Sequence, residues 1–319
     1  SLTLQALWLA WDSEAGRPLL RADGVRLTRA TGETLARVPS LWLEPDLGGH
    51  MRGRVALKGV EAGGPVVRLS RAGDGTLEFG LGAESEGGAM AGEAFAALLD
   101  DAPGDSALQV LRRVGVRRGE LVVNDAASGT VWRMTDANFV LTRTADGITG
   151  DLTGRVDVAG EQAEVRLNGE VRPGEPRFVI RVEFGALRLD RLAALGGPFA
   201  ALAPLALPVG GYLTLGLSGD GSATDLEFDL AGASGHVAVG GATNIPLTDM
   251  RLAGTFNDGA TEARIERFRV RVGGLAAEAS GTIERKDGKW RAAMTIGLDS
   301  EVPNAAIAPG HARARLDLA

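Results

Sequence analysis

The sequence contains no cysteine. That excludes a disulfide scaffold, a thiolate metal site and a cysteine nucleophile. Aromatic residues are scarce, at 5%, with a single tyrosine, so there is little to stack bases. There is no basic block either, and the net charge is −7. Together these argue against nucleic acid as a partner. No G-x-x-x-x-G-K-[ST] loop and no G-x-S-x-G elbow occurs, so the local signs of nucleotide and serine-hydrolase chemistry are missing. The three histidines, His50, His236 and His311, lie far apart and form no H-x-x-x-H pattern. They read as surface or turn residues, with His236 at a strand edge, and no metal site is expected. No catalytic residue and no cofactor is assigned, and the chain reads as a non-enzyme.

One long stretch, Leu192 to Gly219, carries no charge. It is long enough to span a bilayer. Pro198, Pro204 and Pro208 and the pairs Gly196-Gly197 and Gly210-Gly211 interrupt it, which a membrane helix tolerates poorly. The expectation is a buried helical hairpin or turn, then a strand from Tyr212.

What is present is alternation. Apolar residues make up 45% and charged residues 24%, a balance that belongs to an ordered chain. In "GYLTLGLSGDGSATDLEFDLAGASGHVAVGG", Leu213, Leu215 and Leu217 share one side of a strand. Leu226, Phe228 and Leu230 share one side of the next, opposite Asp225, Glu227 and Asp229. In "RFRVRV", Phe268, Val270 and Val272 share a face, and Arg267, Arg269 and Arg271 the other. A slip of one residue would turn three arginines inward, so register is firmly set. Much of the remaining sequence has the same grammar, with the 46 glycines scattered through turns rather than set at a fixed period. Six Asp-Gly pairs begin at Asp23, Asp74, Asp146, Asp220, Asp258 and Asp287. Asp-Gly supports the positive φ angles of tight hairpins, so these mark a meander with unequal arms.

Helix is expected at 92–102, from Asp105 through "SALQVLRRVG", and near 190–204. The domain reading is therefore a β-segment over 1–82, a helical or loop insertion over 83–118, and a second β-segment over 119–319 containing the short helix. About fifteen strands at about 4.8 Å spacing would make a sheet on the order of 70 Å across, large enough to curl or split. Two architectures shelter its apolar face. One is a long curled antiparallel sheet, a groove or gutter apolar inside. The other is a β-sandwich closed on itself. Small residues on the apolar side, as in "LAAEAS" and "VDVAG", favour the unfilled groove.

Local clusters have plain readings. "SGDGSATDLE" gathers Asp220, Ser222, Asp225 and Glu227 without EF-hand spacing, and reads as a hairpin turn and an outer strand face. Arg112, Arg113, Arg117 and Arg118 read as a solvated helix end and strand face, with anionic head groups as the functional alternative. Trp8, Trp11 and Trp42 read as core at the end of the groove, with a membrane-interface seat as the alternative.

Longer passages resemble a known family. "LRLDRLAALGGPFAALAPLALPVGGYLTLGLSGDGSATDLEFDLAGASGHVAV", then "LTDMRLAGTF" and "ARIERFRVRVGGLAAEASGTI", resemble the AsmA-like family of Gram-negative envelope proteins, above all its large YhdP-type members. The early "LAWDSEAGRPLLRADGVRLTRATGETLARVPSLWLE" is similar to the N-terminal part of such proteins. The resemblance implies a repeating β-groove that carries phospholipid acyl chains between inner and outer membranes. It implies a periplasmic location, with tethering to the inner membrane through a helix that this sequence lacks. The alternating runs at both ends, "SLTLQALWLAW" and "ARARLDLA", lead us to expect a fragment of a longer sheet whose targeting segment lies upstream. The lining positions expected are Leu213, Leu215, Leu217, Leu226, Phe228, Leu230, Phe268, Val270 and Val272. The alternative function is that of a closed structural or adhesive sandwich acting through its outer face.

Overall fold

The computed structural model describes residues 2–12, 16–28, 34–46, 48, 56–72, 77–81, 111–126, 129–172, 177–218, 223–239, 243–257, 261–272, 275–286, 289–300 and 310–318. The protein is mainly β, with long, mostly antiparallel sheet and very little helix. It forms two compact units, Ser1–Asp157 and Val158–Ala319. In each unit the sheet is neither closed nor strongly curled. Strands touch chiefly the strands they pair with, so among the described residues no second layer of the same unit makes it a sandwich.

In the first unit, β1 (Leu2–Thr3) and β2 (Ala6–Asp12) lie along β3 (Arg17–Thr28). β3 pairs with β4 (Thr34–Pro45), and β4 with β5 (Leu57–Gly63). β5 and β6 (Val66–Arg71) then run parallel to β8 (Arg113–Asp125), while β7 (Leu77–Leu81) pairs antiparallel with β6. β9 (Thr130–Thr144) and β10 (Gly147–Val158) follow as hairpin arms. The parallel step departs from the simple meander that the turns suggested. Parallel neighbours need a long crossover rather than a turn, and the sequence between β6 and β8 is long enough for one.

The expected helices at 92–102 and from Asp105 fall mostly in 82–110, outside the described residues. From Arg113 onward the chain is strand, so the last residues of the expected 83–118 insertion belong to the sheet. Helical spacing there yields to alternation in "VGVRRGELVV" and to the partner strands β5 and β6, a tertiary context that overrides local propensity. The division between the two units falls at Asp157.

In the second unit, β11 (Glu161–Val171) pairs with β12 (Arg177–Arg188). A five-residue helix α1 (Leu189–Ala193), a 3-10 turn at Gly197–Leu202 and the short β13 (Leu205–Ala206) lead into β14 (Pro208–Ser218). β14 returns beside β12. Then β15 (Ala223–Val239), β16 (Thr243–Asn257), β17 (Glu262–Val272), β18 (Leu275–Lys286), β19 (Lys289–Ser300) and β20 (Gly310–Leu318) follow, each antiparallel to the one before.

The uncharged stretch divides as its prolines and glycines require, with one correction. The strand begins at Pro208, ahead of Tyr212, and the helical part is not buried, since no residue of α1 is. Its charged neighbours hold it at the surface. Arg188 donates to Asp190 from both Nε and Nη2, at 3.0 and 2.7 Å. The buried anchor is instead Leu207, 1% exposed, followed by Val209. A Cβ at Gly232 would sit 2.8 Å from the Leu207 side chain, so the glycine makes room for the leucine. No helix among the described residues is long and apolar enough to cross a membrane.

The Asp-Gly pairs behave in two ways. Asp146-Gly147 turns between β9 and β10, with Gly147 at φ 140°. Those at 74, 220, 258 and 287 lie outside the described residues, and the strands flanking each pair antiparallel. Asp23-Gly24 is no turn. It lies within β3, where Gly24 takes φ 62° opposite the break between β1 and β2. His236 is likewise not at an edge: it sits in β15 between Ala206 and Pro246.

Candidate functional site

The register of the second unit sorts its side chains into two faces. Starting from Leu213, the cross-strand neighbours on either side are Val182 and Phe228. The row continues outward to Leu167 on one side, and to Gly254 and Ile265 on the other. A second row links Ile180, Leu215, Leu226, Phe256, Ala263 and Ile283. A third links Phe184, Gly211, Leu230, Leu252, Phe268 and Ala279. Val270 opposes Ala277, and Val272 lies between Leu247 and Leu275. Leu217 opposes Phe178 and, past a register shift, Ala223.

All nine lining positions thus fall on one apolar face. Phe228 and Val270 are buried, at 5% and 8% exposure. The other seven are half-buried. Phe228 is sheltered by its own sheet. Its ring lies 5.6 Å from that of Phe256, and Gly254 lies opposite it with no side chain to keep the ring away. The remaining residues of the face have strand neighbours at their sides and, among the described residues, no second layer of the unit above them. Phe178, Ile180, Val182 and Phe184 on β12 belong to the same face but were not among the expected lining residues. Their alternation in "RFVIRVEFGAL" carried the signal. Leu252 and Phe256 on β16 also belong to it. Two register shifts make that strand's partnership with β17 harder to read.

The opposite face is polar and laced with ion pairs and hydrogen bonds. Arg177 donates to both carboxylate oxygens of Asp225, at 2.8 and 2.9 Å. Arg181 lies over the Tyr212 ring at 3.7 Å and pairs with Glu183 at 3.0 Å. The Tyr212 hydroxyl donates to Glu227 at 3.1 Å. That bond, with desolvation and the negative charge of Glu227 and Asp229, holds the phenol above its ordinary pKa, against the opposing pull of Arg181. In the first turn of α1, the hydrogen bond from Arg188 holds the Asp190 carboxyl below the usual range. The two acidic residues of "SGDGSATDLE" in the described part, Asp225 and Glu227, are engaged by Arg177 and Tyr212. No acidic or histidine cluster fit for a metal ion occurs among the described residues.

The first unit has the same division. Leu20, Leu43, Val60, Val114 and Leu141 form one cross-strand row, and it reaches Leu9 on β2, which is 79% exposed. The expected tryptophan core is not there. Trp8 and Trp11 are 57% and 67% exposed, because β2 is short and flanked on its described side only by β3. Trp42 sits on the polar face between the guanidinium groups of Arg21 and Arg117, each 5.5 Å from its ring. The basic patch is partly neutralised. Arg113 and Arg117 both pair with the buried Glu61, Arg113 at 2.9 Å. Arg118 takes φ 49° and its backbone N–H donates to Asn138.

No protein-family model, no curated protein and no solved structure matches this chain.

Proposed function

We propose that this chain is a segment of an AsmA-like, bridge-type lipid transfer protein, whose apolar sheet face carries phospholipid acyl chains through the periplasm between inner and outer membranes. The observation that supports the reading is the continuous apolar face across β11–β18, half-buried, with no second layer of its own unit upon it among the described residues. Each acyl methylene taken out of water there contributes about 0.8 kcal/mol. The face repeats similar aliphatic rows from strand to strand, and its described cross-strand rows hold no polar group to pin a head group midway. Such a surface holds an acyl chain without a deep local well, so the chain slides. Head groups stay in water at its margin. Transfer of this kind needs no chemical step.

The test is mass spectrometry of lipid extracted from the chain after purification from bacteria without detergent. Several phospholipids per chain are expected. Leu215→Asp alters a half-buried position on the face and should lower the lipid content of a folded protein. Phe228→Asp and Val270→Asp alter buried positions and should abolish either lipid loading or folding. Glu227→Gln on the polar face should leave lipid content unchanged. A folded, lipid-free wild-type chain would remove the reading.

A further inference from the structure

The polar face of the second unit carries a feature that the acyl-chain face does not explain. We propose that the pocket formed on this face by Arg251, Arg267 and Arg269 binds a phosphate group. β16 and β17 both break register here. β16 shifts between Thr248 and Arg251, and β17 shifts between Ile265 and Phe268. Bulges re-aim side chains and gather beside functional sites. Their effect is to set Arg251 directly opposite Arg269, with Arg267 close by on the same strand. Asp249, within the β16 shift, takes φ 53°, a conformation uncommon outside glycine.

The result is a pocket of about 580 Å³ whose lining includes the three arginines and the hydroxyl residues Ser280 and Thr295. Like charges directly opposite across a ladder destabilise it. The carboxylates of the lining do not cancel them. Glu278 pairs with Arg269 at 3.5 Å, and Glu266 is the only other acid among the lining residues. Three guanidinium groups against two carboxylates leave one net positive charge. Guanidinium groups present planar forks that match the oxygens of a phosphate, and the hydroxyls of Ser280 and Thr295 add neutral donors. A phosphate seated here would relieve the Arg251–Arg269 repulsion that the empty ladder carries. The phosphate is either free in solution or part of a lipid head group.

The test uses the full chain at constant ionic strength, so that screening does not vary. Calorimetric titration with inorganic phosphate is paired with flotation on phosphatidylglycerol vesicles, with and without competing phosphate. The site variant is Arg251→Gln with Arg267→Gln. The control is Arg133→Gln with Arg166→Gln, which removes the same charge from exposed strand faces elsewhere. Saturable phosphate binding is expected, weakened at least tenfold in the site variant and retained in the control. Its unfolding temperature should stay level or rise, because Arg251 no longer faces Arg269. Phosphate binding without vesicle binding assigns the site to free phosphate. Vesicle binding that phosphate competes away, and that the site variant loses, assigns it to a head group. Equal losses in site variant and control, or no binding of either probe by the wild type, would overturn the proposal. Lipid content measured on the acyl-chain face is independent of all these outcomes.

Discussion

Tyr212 shows how a single side chain reads out the polar face. It is the protein's one tyrosine, so its ionisation is seen alone in the tyrosinate absorbance band. Its hydroxyl donates to Glu227, and that bond and the surrounding negative charge favour the protonated phenol. Its pKa in the folded chain therefore lies above the ordinary value of 10.0. The folded state holds the proton more tightly than the unfolded one. The resulting stabilisation is complete below the unfolded pKa and is lost as pH rises through the folded one. An absorbance titration should place the wild-type midpoint above that of a free tyrosine. In Glu227→Gln the midpoint should fall toward it. Stability at neutral pH should be little changed, as for most surface substitutions. An unchanged midpoint would mean that the Tyr212–Glu227 bond does not form in solution. The alternation that put Glu227 on the outer face was legible in the sequence. Its partner was not, because Tyr212 and Glu227 are joined only by the register of β14 on β15, where Tyr212 faces Asp229 and the hydroxyl reaches diagonally.

At the scale of the strand, a glycine decides how the apolar face fits around the buried ring of Phe228. Gly254 on β16 stands opposite Phe228. A Cβ there would lie 2.9 Å from Phe228 Cζ, and it would also land on the carbonyl oxygen of Arg264 in β17. The side chain can swing aside, but the backbone oxygen cannot without shifting the β16–β17 ladder. Gly254→Ala should therefore cost about 1–3 kcal/mol, the usual penalty for overpacking a filled site, measured as a lower urea midpoint with an unchanged slope. A midpoint equal to wild type would mean that β17 yields freely at its bulge. Sequence periodicity identified most strands here and the hairpins between them. It did not reveal the bulges, which insert residues without changing the composition of the run. It also missed β8 as a strand from Arg113, because "SALQVLRR" has helical spacing and the parallel partners β5 and β6 lie some fifty residues earlier in the chain.

At the scale of the molecule, the question is whether the apolar faces are open. Half-buried leucines with no second layer in their unit among the described residues form a contiguous apolar surface, and soluble monomers rarely leave such surfaces unoccupied. Nile red, an uncharged dye that responds to apolar surroundings, should bind the delipidated, folded chain and brighten. Lysophosphatidylcholine should displace it. Leu215→Asp should weaken the signal, and the arginine variants of the polar face should not. A folded, delipidated chain that leaves the dye dark would mean that the faces are covered in solution. The same measurement separates an open face from the filled core of a sandwich.

The sequence by itself determined which residues share a face. A strand alternates with period two, and a slip of register would bury the arginines of β17, so Leu213, Phe228 and Val270 could be assigned to one side without a structure. It also determined that the elements would be strands joined largely by turns, since glycine and Asp-Gly pairs punctuate the alternating runs. Only the tertiary structure decided what those faces meet. Two copies of the same alternating pattern pack into a sandwich or lie as an open sheet with equal local satisfaction, because hydrogen bonds along a ladder are the same in both. The difference lies in contacts between residues distant in sequence, such as the parallel pairing of β5 and β6 with β8, the seat of Leu207 on Gly232, and the two bulges that bring Arg251 opposite Arg269.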